Sequence, residues 1–325
     1  MIDLHLHLDG SLPVETVLKL AKMQDITLPT NDINELKYKY LMVNEDCKDL
    51  TEYLERFDFP LKLMQTKESL IVSVSDLLTE LKNQGLVYAE IRFAPQLHLQ
   101  KGLTQREVIE SAIEGLKKVD LKANLILCCM RGKGNESLNE ETVKLAKEYL
   151  GKGVCAVDLA GAEAIFTTDK FTDLFALVNY LELPYTLHAG EADGAKSVEL
   201  ALDYGASRIG HGVRSVEDDD VVNRLINEKI AIEVCPKSNF DTNTFKDMLK
   251  DYPVKRLLDK GVLVTINTDN MTVSDTTLKN EYRILKENFG FTDEDIKKVL
   301  LNSANVAFVS SEEREEIKKM LKERF

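Results

Sequence analysis

Eight β-rich runs alternate with segments of helical character along the 325 residues, and that alternation predicts an α/β protein with a parallel sheet. Eight such units fit a (β/α)8 (TIM) barrel. Two further observations favour the barrel over an open, doubly wound sheet. No Gly-rich dinucleotide loop follows the first run. The residues with chemistry in them also gather at the C-terminal ends of several runs, where barrels carry catalytic groups: His7 and Asp9, Arg92, Met130 and Arg131, Gly161, His188 and Glu191, His211, Ser238 and Asp269. Of the five histidines only His98, in Pro95-Gln96-Leu97-His98, lies elsewhere, and it is read as structural or surface.

The first run, from Ile2 to Gly10, alternates Leu or Ile with charged or imidazole side chains, the period-2 signature of a strand. Residues two apart share a face, so His5 and His7 point together, with Asp9 one step beyond. Ile2, Leu4, Leu6 and Leu8 face the other way. Two imidazoles on one stiff strand form half of a metal site.

A long helical stretch follows. Ser11 reads as the N-cap of a helix with Pro13 near its first turn, and Leu18, Leu20 and Ala21 on its buried side. Residues 46–84 hold further helical patterns, broken or bent near Pro60 in Arg56-Phe57-Asp58-Phe59-Pro60-Leu61. This insertion, residues 11–84 between strands 1 and 2, serves either as a lid over a site or as an extra helical layer. The remaining strands are expected at Val87–Phe93, Asn124–Cys129, Val154–Leu159, Tyr185–His188, Arg208–His211, Ile230–Cys235 and Val262–Asn267. Helical segments such as Glu107–Lys118, Glu140–Leu150 and Lys196–Tyr204 lie between them.

No tandem repeat or linker rich in Pro, Gly or Ser divides the chain, so residues 1–325 are expected to form one domain. The net charge of −13 speaks against nucleic acid and anionic membrane as partners, and mildly against a multiply phosphorylated substrate. No apolar run approaches the ~18–20 residues that span a bilayer. The N-terminus turns polar almost at once, which speaks against a signal peptide. Cys47, Cys128, Cys129, Cys155 and Cys235 show no CxxC pairing, so free thiols in the cytoplasm are expected.

Tyr185-Thr186-Leu187-His188-Ala189-Gly190-Glu191 adds a third imidazole at the fifth strand, and Thr265-Ile266-Asn267-Thr268-Asp269-Asn270 offers a carboxylate at the eighth. His5, His7, His188 and Asp269 suit one divalent ion, most readily zinc; iron, cobalt or manganese fit the same ligands. His211, between Gly210 and Gly212, can be a ligand, a general base or a charge-stabilising group. Glu191, three residues after His188, is placed to donate a proton once a dry site raises its pKa.

The ordered motifs HLHLDGS (from His5), EIRFAP (from Glu90), DLAG (from Asp158), TLHAGE (from Thr186), RIGHG (from Arg208), CPKSN (from Cys235) and NTDN (from Asn267) resemble the adenosine deaminase family of the amidohydrolase superfamily. The likeness runs nearly end to end and takes in Phe57–Leu61 with Met64-Gln65-Thr66. It implies a zinc-dependent hydrolase acting on the C–N bond of adenosine and 2′-deoxyadenosine, in purine salvage. It implies that His5, His7, His188 and Asp269 bind the metal and that Glu191 protonates purine N1. His211 would orient the attacking hydroxide with help from Asp269. Asp9 would reach ribose hydroxyls, and the Gly161 N–H would reach N3. Phe57, Phe59, Leu61 and Met130 would form the apolar wall or lid of the base pocket, in which His7 also faces substrate.

Two departures stand out. Only four residues precede His5, so either the strand begins at the terminus or the chain is trimmed. The family commonly carries two acidic residues after strand 8, whereas the second here is Asn270, whose NH2 can donate to purine N7. The rival readings are a deaminase of adenine or another 6-aminopurine, and a silent nucleoside-binding protein. Asp9 favours a nucleoside over a free base, and no basic cluster for a phosphate is visible. A silent protein should have lost Glu191, His211 or Asp269. The expected assembly is a monomer or weak homo-oligomer.

Overall fold

A computed structural model of the chain describes residues 1–44, 46–244 and 252–323. Its eight strands are β1 (Ile2–His7), β2 (Tyr88–Phe93), β3 (Lys122–Met130), β4 (Val154–Ala160), β5 (Thr186–Ala189), β6 (Arg208–His211), β7 (Ala231–Val234) and β8 (Leu263–Ile266). All pair in parallel, as two four-stranded sheets in the orders β1-β2-β3-β4 and β5-β6-β7-β8. Single bridges join the sheets: Val157 to Tyr185 between β4 and β5, and Leu6 to Asp269 between β1 and the end of β8. These two seams close the barrel. Strands buried on both faces suit this arrangement, and β2, β4, β5, β6 and β7 are buried throughout.

Helices fill the crossovers at Gln105–Leu116, Glu136–Tyr149, Thr172–Tyr180, Ala195–Tyr204, Asp219–Glu228 and Val254–Lys260. The ends are specified locally. Thr66 with Ser69, and Thr104 with Glu107, form capping boxes, and Gly205 ends its helix in the left-handed conformation at φ 91°. Three helices follow β8, and the last two, Asp293–Val306 and Ser311–Lys322, cover Ile2, Leu4 and Tyr88 with Leu300, Ile317 and Leu321. No described helix is long and apolar enough to cross a membrane.

Between β1 and β2 the chain is helical, with Val14–Met23 and Lys67–Asn83 packed on the barrel and shorter pieces at Leu50–Leu54 and Asp58–Leu63. Ser11 does not cap the first helix. Pro13 holds the N-cap position without a side-chain bond, and the Ser11 hydroxyl instead accepts the Met271 N–H at 3.0 Å, joining the loops after β1 and β8. The break near Pro60 falls earlier than expected, as a 3-10 turn over Glu55–Phe57. Pro60 itself sits in the first turn of the next helix, where a missing N–H costs nothing. The first strand ends at His7, so Asp9 lies in the turn beyond it.

The barrel interior carries charge as well as apolar layers. Arg92, on β2, donates to Asp158 at 2.9 Å, to Glu233 at 2.8 Å and to the Leu4 carbonyl at 2.7 Å, all fully buried. Arg208 pairs with Glu233 at 2.6 Å and with Glu90 below it. Paired buried ions of this kind tolerate no single deletion, because a lone survivor would be stranded without water.

Candidate active site

The site is built at the C-terminal mouth of the barrel. His5 and His7 project inward from β1 and meet His188 from β5, with Nε2 separations of 3.1 and 3.2 Å. Asp269 Oδ1 lies 3.3 Å from His5 Nε2 and 3.4 Å from His7 Nε2. The backbone fixes this approach: His7 N–H donates to the Asp269 carbonyl at 2.7 Å and Asp269 N–H to the His5 carbonyl at 2.8 Å. Asp269 takes φ 58° to do so, and His211 takes φ 60° at the end of β6, left-handed values that cost a non-glycine residue energy.

What lies behind the imidazoles decides what the cluster can hold. His5 Nδ1 faces Glu233 at 2.9 Å, and His188 Nδ1 faces Asp158 at 3.0 Å. Arg92 ties both carboxylates together. Burial works against ionising Glu233 and Asp158, but Arg92, with Arg208 beside Glu233 and His188 beside Asp158, holds both below the usual carboxylate range. Each carboxylate therefore draws the Nδ1 proton and leaves the Nε2 lone pair free. Several lone pairs and a carboxylate oxygen then converge on one point, with all four ligand atoms within 4.8 Å of one another. Such a donor set fits a divalent cation.

His211 stands beside this cluster. Tyr252 donates its hydroxyl proton to Asn239 Oδ1 at 3.0 Å, which turns the Asn239 NH2 toward His211 Nδ1, also at 3.0 Å. Nδ1 is thus the acceptor, and the neutral ring carries its proton on Nε2, 3.5 Å from Glu191 Oε2. Burial and the neighbouring His5 keep the ring from charging. Burial likewise pushes the Glu191 carboxyl well above its ordinary range, helped by the charges of Asp269 and Glu163.

These groups line one side of a cavity of about 270 Å³, near the lower end of the ~300–1,000 Å³ usual for small-molecule sites. Opposite them lie Phe57, Leu61, Leu97, Met130 and Cys128. Asp9, Gly161 and Asn270 line it as well. Burial raises Asp9 to about 6, and its Oδ1, like Asn270 Oδ1, has no hydrogen-bond partner. Among the described residues lining the cavity there is no lysine or arginine.

The family model of adenosine deaminase matches residues 1–324. The chain belongs to the adenosine deaminase family. It is 47% identical to the adenosine deaminase of Haemophilus ducreyi, over 100% of this chain and 96% of that one, and 38% identical to that of Clostridium perfringens over 98% and 96%. Among solved structures it resembles the adenine deaminase of Arthrobacter aurescens at 26% identity and TM-score 0.86, covering 99% of this chain and 98% of that one. The N6-methyl-AMP deaminase of Arabidopsis thaliana shares the fold at 24% identity and TM-score 0.84, covering 99% and 96%.

Within that family setting, most of the residues singled out from the sequence meet at this one mouth: His5, His7, His188, Asp269, His211 and Glu191 at the polar side, Asp9, Gly161, Asn270, Phe57, Leu61 and Met130 around the cavity. Phe59 is not among the residues that line this cavity. It packs against the barrel core, on a helical face that residues 57 and 61 do not share. His98 is buried and structural, with Nδ1 2.8 Å from the Met64 carbonyl and its pKa lowered by burial to about 4. Leu50, Tyr53 and Leu54 also line the cavity and were overlooked. With Phe57 and Leu61 they recur at i, i+3, i+4, i+7 and i+11, a stripe the sequence does display.

Proposed function

We propose that this protein hydrolyses adenosine and 2′-deoxyadenosine to inosine and ammonia in purine salvage, using one divalent ion, zinc, per chain. The observation that carries the reading is a pair of buried carboxyls on one cavity with opposed tendencies, Glu191 pushed toward its protonated form and Asp269 held ionised beside three imidazoles. His5, His7, His188 and Asp269 would hold the ion. Bound zinc supplies Lewis acidity, which brings the pKa of water from 15.7 to about 7.

The chain's own residues do the rest. The Gly161 N–H donates to purine N3, the Asn270 NH2 donates to N7, and the free Asp9 oxygen accepts from a ribose hydroxyl. Phe57, Leu61 and Met130 cover the base and exclude water. Glu191 passes its proton to N1, which drains charge from C6 as the oxygen of water adds there. His211 Nε2–H donates to that oxygen as negative charge develops, the role of an oxyanion donor rather than of a base. Of the two protons of water, one passes to the C6 amino group, which leaves as ammonia as the C6–N bond breaks and C6=O forms, and the other returns to Glu191; inosine keeps the N1 proton. That no Lys or Arg is among the described residues lining the cavity supports a nucleoside over a nucleotide, and the unpartnered Asp9 oxygen supports a nucleoside over a free base.

We further propose that residues 1–325 act as one domain in the cytoplasm, with residues 11–84 contributing the cover of the site. The assembly would be a monomer or weak homo-oligomer without nucleic-acid or membrane partners. The test is ammonia release from adenosine, 2′-deoxyadenosine, adenine and AMP. Adenosine and its deoxy form should turn over, and preferential turnover of adenine or AMP would replace this reading with one of its rivals.

A further inference from the structure

We propose that Glu163 is the positioning residue for Glu191: its buried carboxylate pins the loop after β5 and so sets where the Glu191 side chain stands. Glu163 lies two residues beyond Gly161 in the loop after β4 and is 1% exposed. Its Oε1 accepts the Gly190 N–H at 2.7 Å and the Ser197 hydroxyl at 2.6 Å. Its Oε2 accepts the N–H groups of Glu191, Ala192 and Asp193 at 3.0, 2.8 and 3.0 Å. Five donors on one carboxylate saturate its acceptor capacity, the pattern of an ionised, acceptor-only group.

The chain of donors continues beyond it. Ser197 Oγ is 2.8 Å from Thr168 Oγ1, which accepts from Arg131 at 3.1 Å, and Arg131 also donates to the His188 carbonyl at 2.6 Å. A single polarised path thus runs from the Arg131 guanidinium through two hydroxyls to Glu163, and every proton along it can point the same way. Without Glu163, four successive N–H groups just after β5 would lose their shared acceptor in a dry setting, and Gly190, at φ 69°, would lose the contact beside its left-handed turn.

The consequence is geometric. In the proposed reaction Gly161 meets N3 and Glu191 meets N1, two atoms on one edge of the same ring. Glu163 is the strut between the two loops that carry those contacts, so it sets their spacing. Its charge also adds to the burial that keeps Glu191 protonated. This inference rests on the deaminase reading, and its test keeps the two apart.

Glu163→Gln retains size but turns one acceptor oxygen into a donor facing N–H groups. Misplacement of Glu191 by this change should lower kcat by about 10²-fold with KM little altered. Amide hydrogen exchange at residues 190–193 should accelerate, while metal content stays that of the wild type. In a Glu191→Gln background the same change should cost almost nothing more, because the group it positions is already gone. An equal loss in both backgrounds would make Glu163 a structural residue only, and unchanged kcat or unchanged exchange would also overturn the proposal. Accelerated exchange in a protein whose wild type releases no ammonia from adenosine would defeat the deaminase reading and leave the strut standing. Should Glu163→Gln not fold, Ser197→Ala removes one of the five donors and should give a smaller loss, again confined to the background that retains Glu191.

Discussion

The floor of the cavity at Asp269 and its wall at Glu191 are equally dry, with exposures of 4% and 3%, yet they hold their carboxyls in opposite states. Burial opposes ionisation at both. At Asp269, His5, His211 and His7 outweigh it and hold the group well below the ordinary carboxylate range. At Glu191 the neighbours are Asp269 and Glu163, whose charges add to burial, and Thr242 and Arg131 do not offset them. The difference teaches that burial alone assigns no role. Neighbouring imidazoles at one and neighbouring carboxylates at the other separate a ligand from an acid within one pocket.

The comparison can be broken most completely at the floor. Stripping the metal with a chelator should reduce turnover to background, and the untreated protein should carry about one equivalent per chain; full turnover by stripped protein would mean that the floor is not a metal site. At the wall, Glu191→Gln should lower kcat by the ~10²–10⁴ typical of an acid–base group while metal content is preserved. Loss of metal in that variant would move Glu191 to the floor and erase the distinction. Asn270 lines the same cavity, with its Oδ1 unpaired and packed against Gly10. Asn270→Ala should cost adenosine ~1–3 kcal/mol, roughly ten- to a hundredfold in kcat/KM, and should cost 7-deazaadenosine much less. Equal losses would remove the N7 contact.

A third buried carboxylate sharpens the contrast away from substrate. Glu281 accepts the Lys237 N–H at 3.0 Å and the Thr276 hydroxyl, yet burial raises its pKa from 4.5 to about 8. The folded state therefore holds a proton that the unfolded chain releases, so this group's contribution to stability declines as pH rises from about 4.5 through about 8. Glu281→Gln should be relatively more stable than the wild type at pH 8 than at pH 5. Thermal melts at the two pH values would show it, at about 2–4 °C per kcal/mol. A Tm difference independent of pH would show that Glu281 ionises in the fold as it does in water.

Local periodicity carried much of this structure. Alternation in β1 places His5 and His7 on one face, and the β-rich runs mark seven strands to within two residues and overrun the end of β1 by three. The groups that pair across the barrel were not legible. Asp158 and Glu233 look in sequence like polar interruptions of apolar strands, and their meaning comes from Arg92, which lies 66 and 141 residues away in the chain. Ser11 carries an N-cap signature but serves the β8 loop 260 residues on. Phe57 and Leu61, which line the cavity, share a helical face set by the preceding 3-10 turn, a phase the sequence does not reveal.

The seam between β1 and β8 has a consequence for how the protein is made. Leu4 N–H bonds to Asn267 across 263 residues of chain, and the Asp269 carboxylate meets His5 and His7 at the same seam. At ~5–20 residues per second, a ribosome needs roughly 13–50 s to supply the eighth strand after the first. During that interval the first histidines have left the ribosome without the strand that completes their cluster. The four proposed ligands therefore come together only in the nearly finished chain.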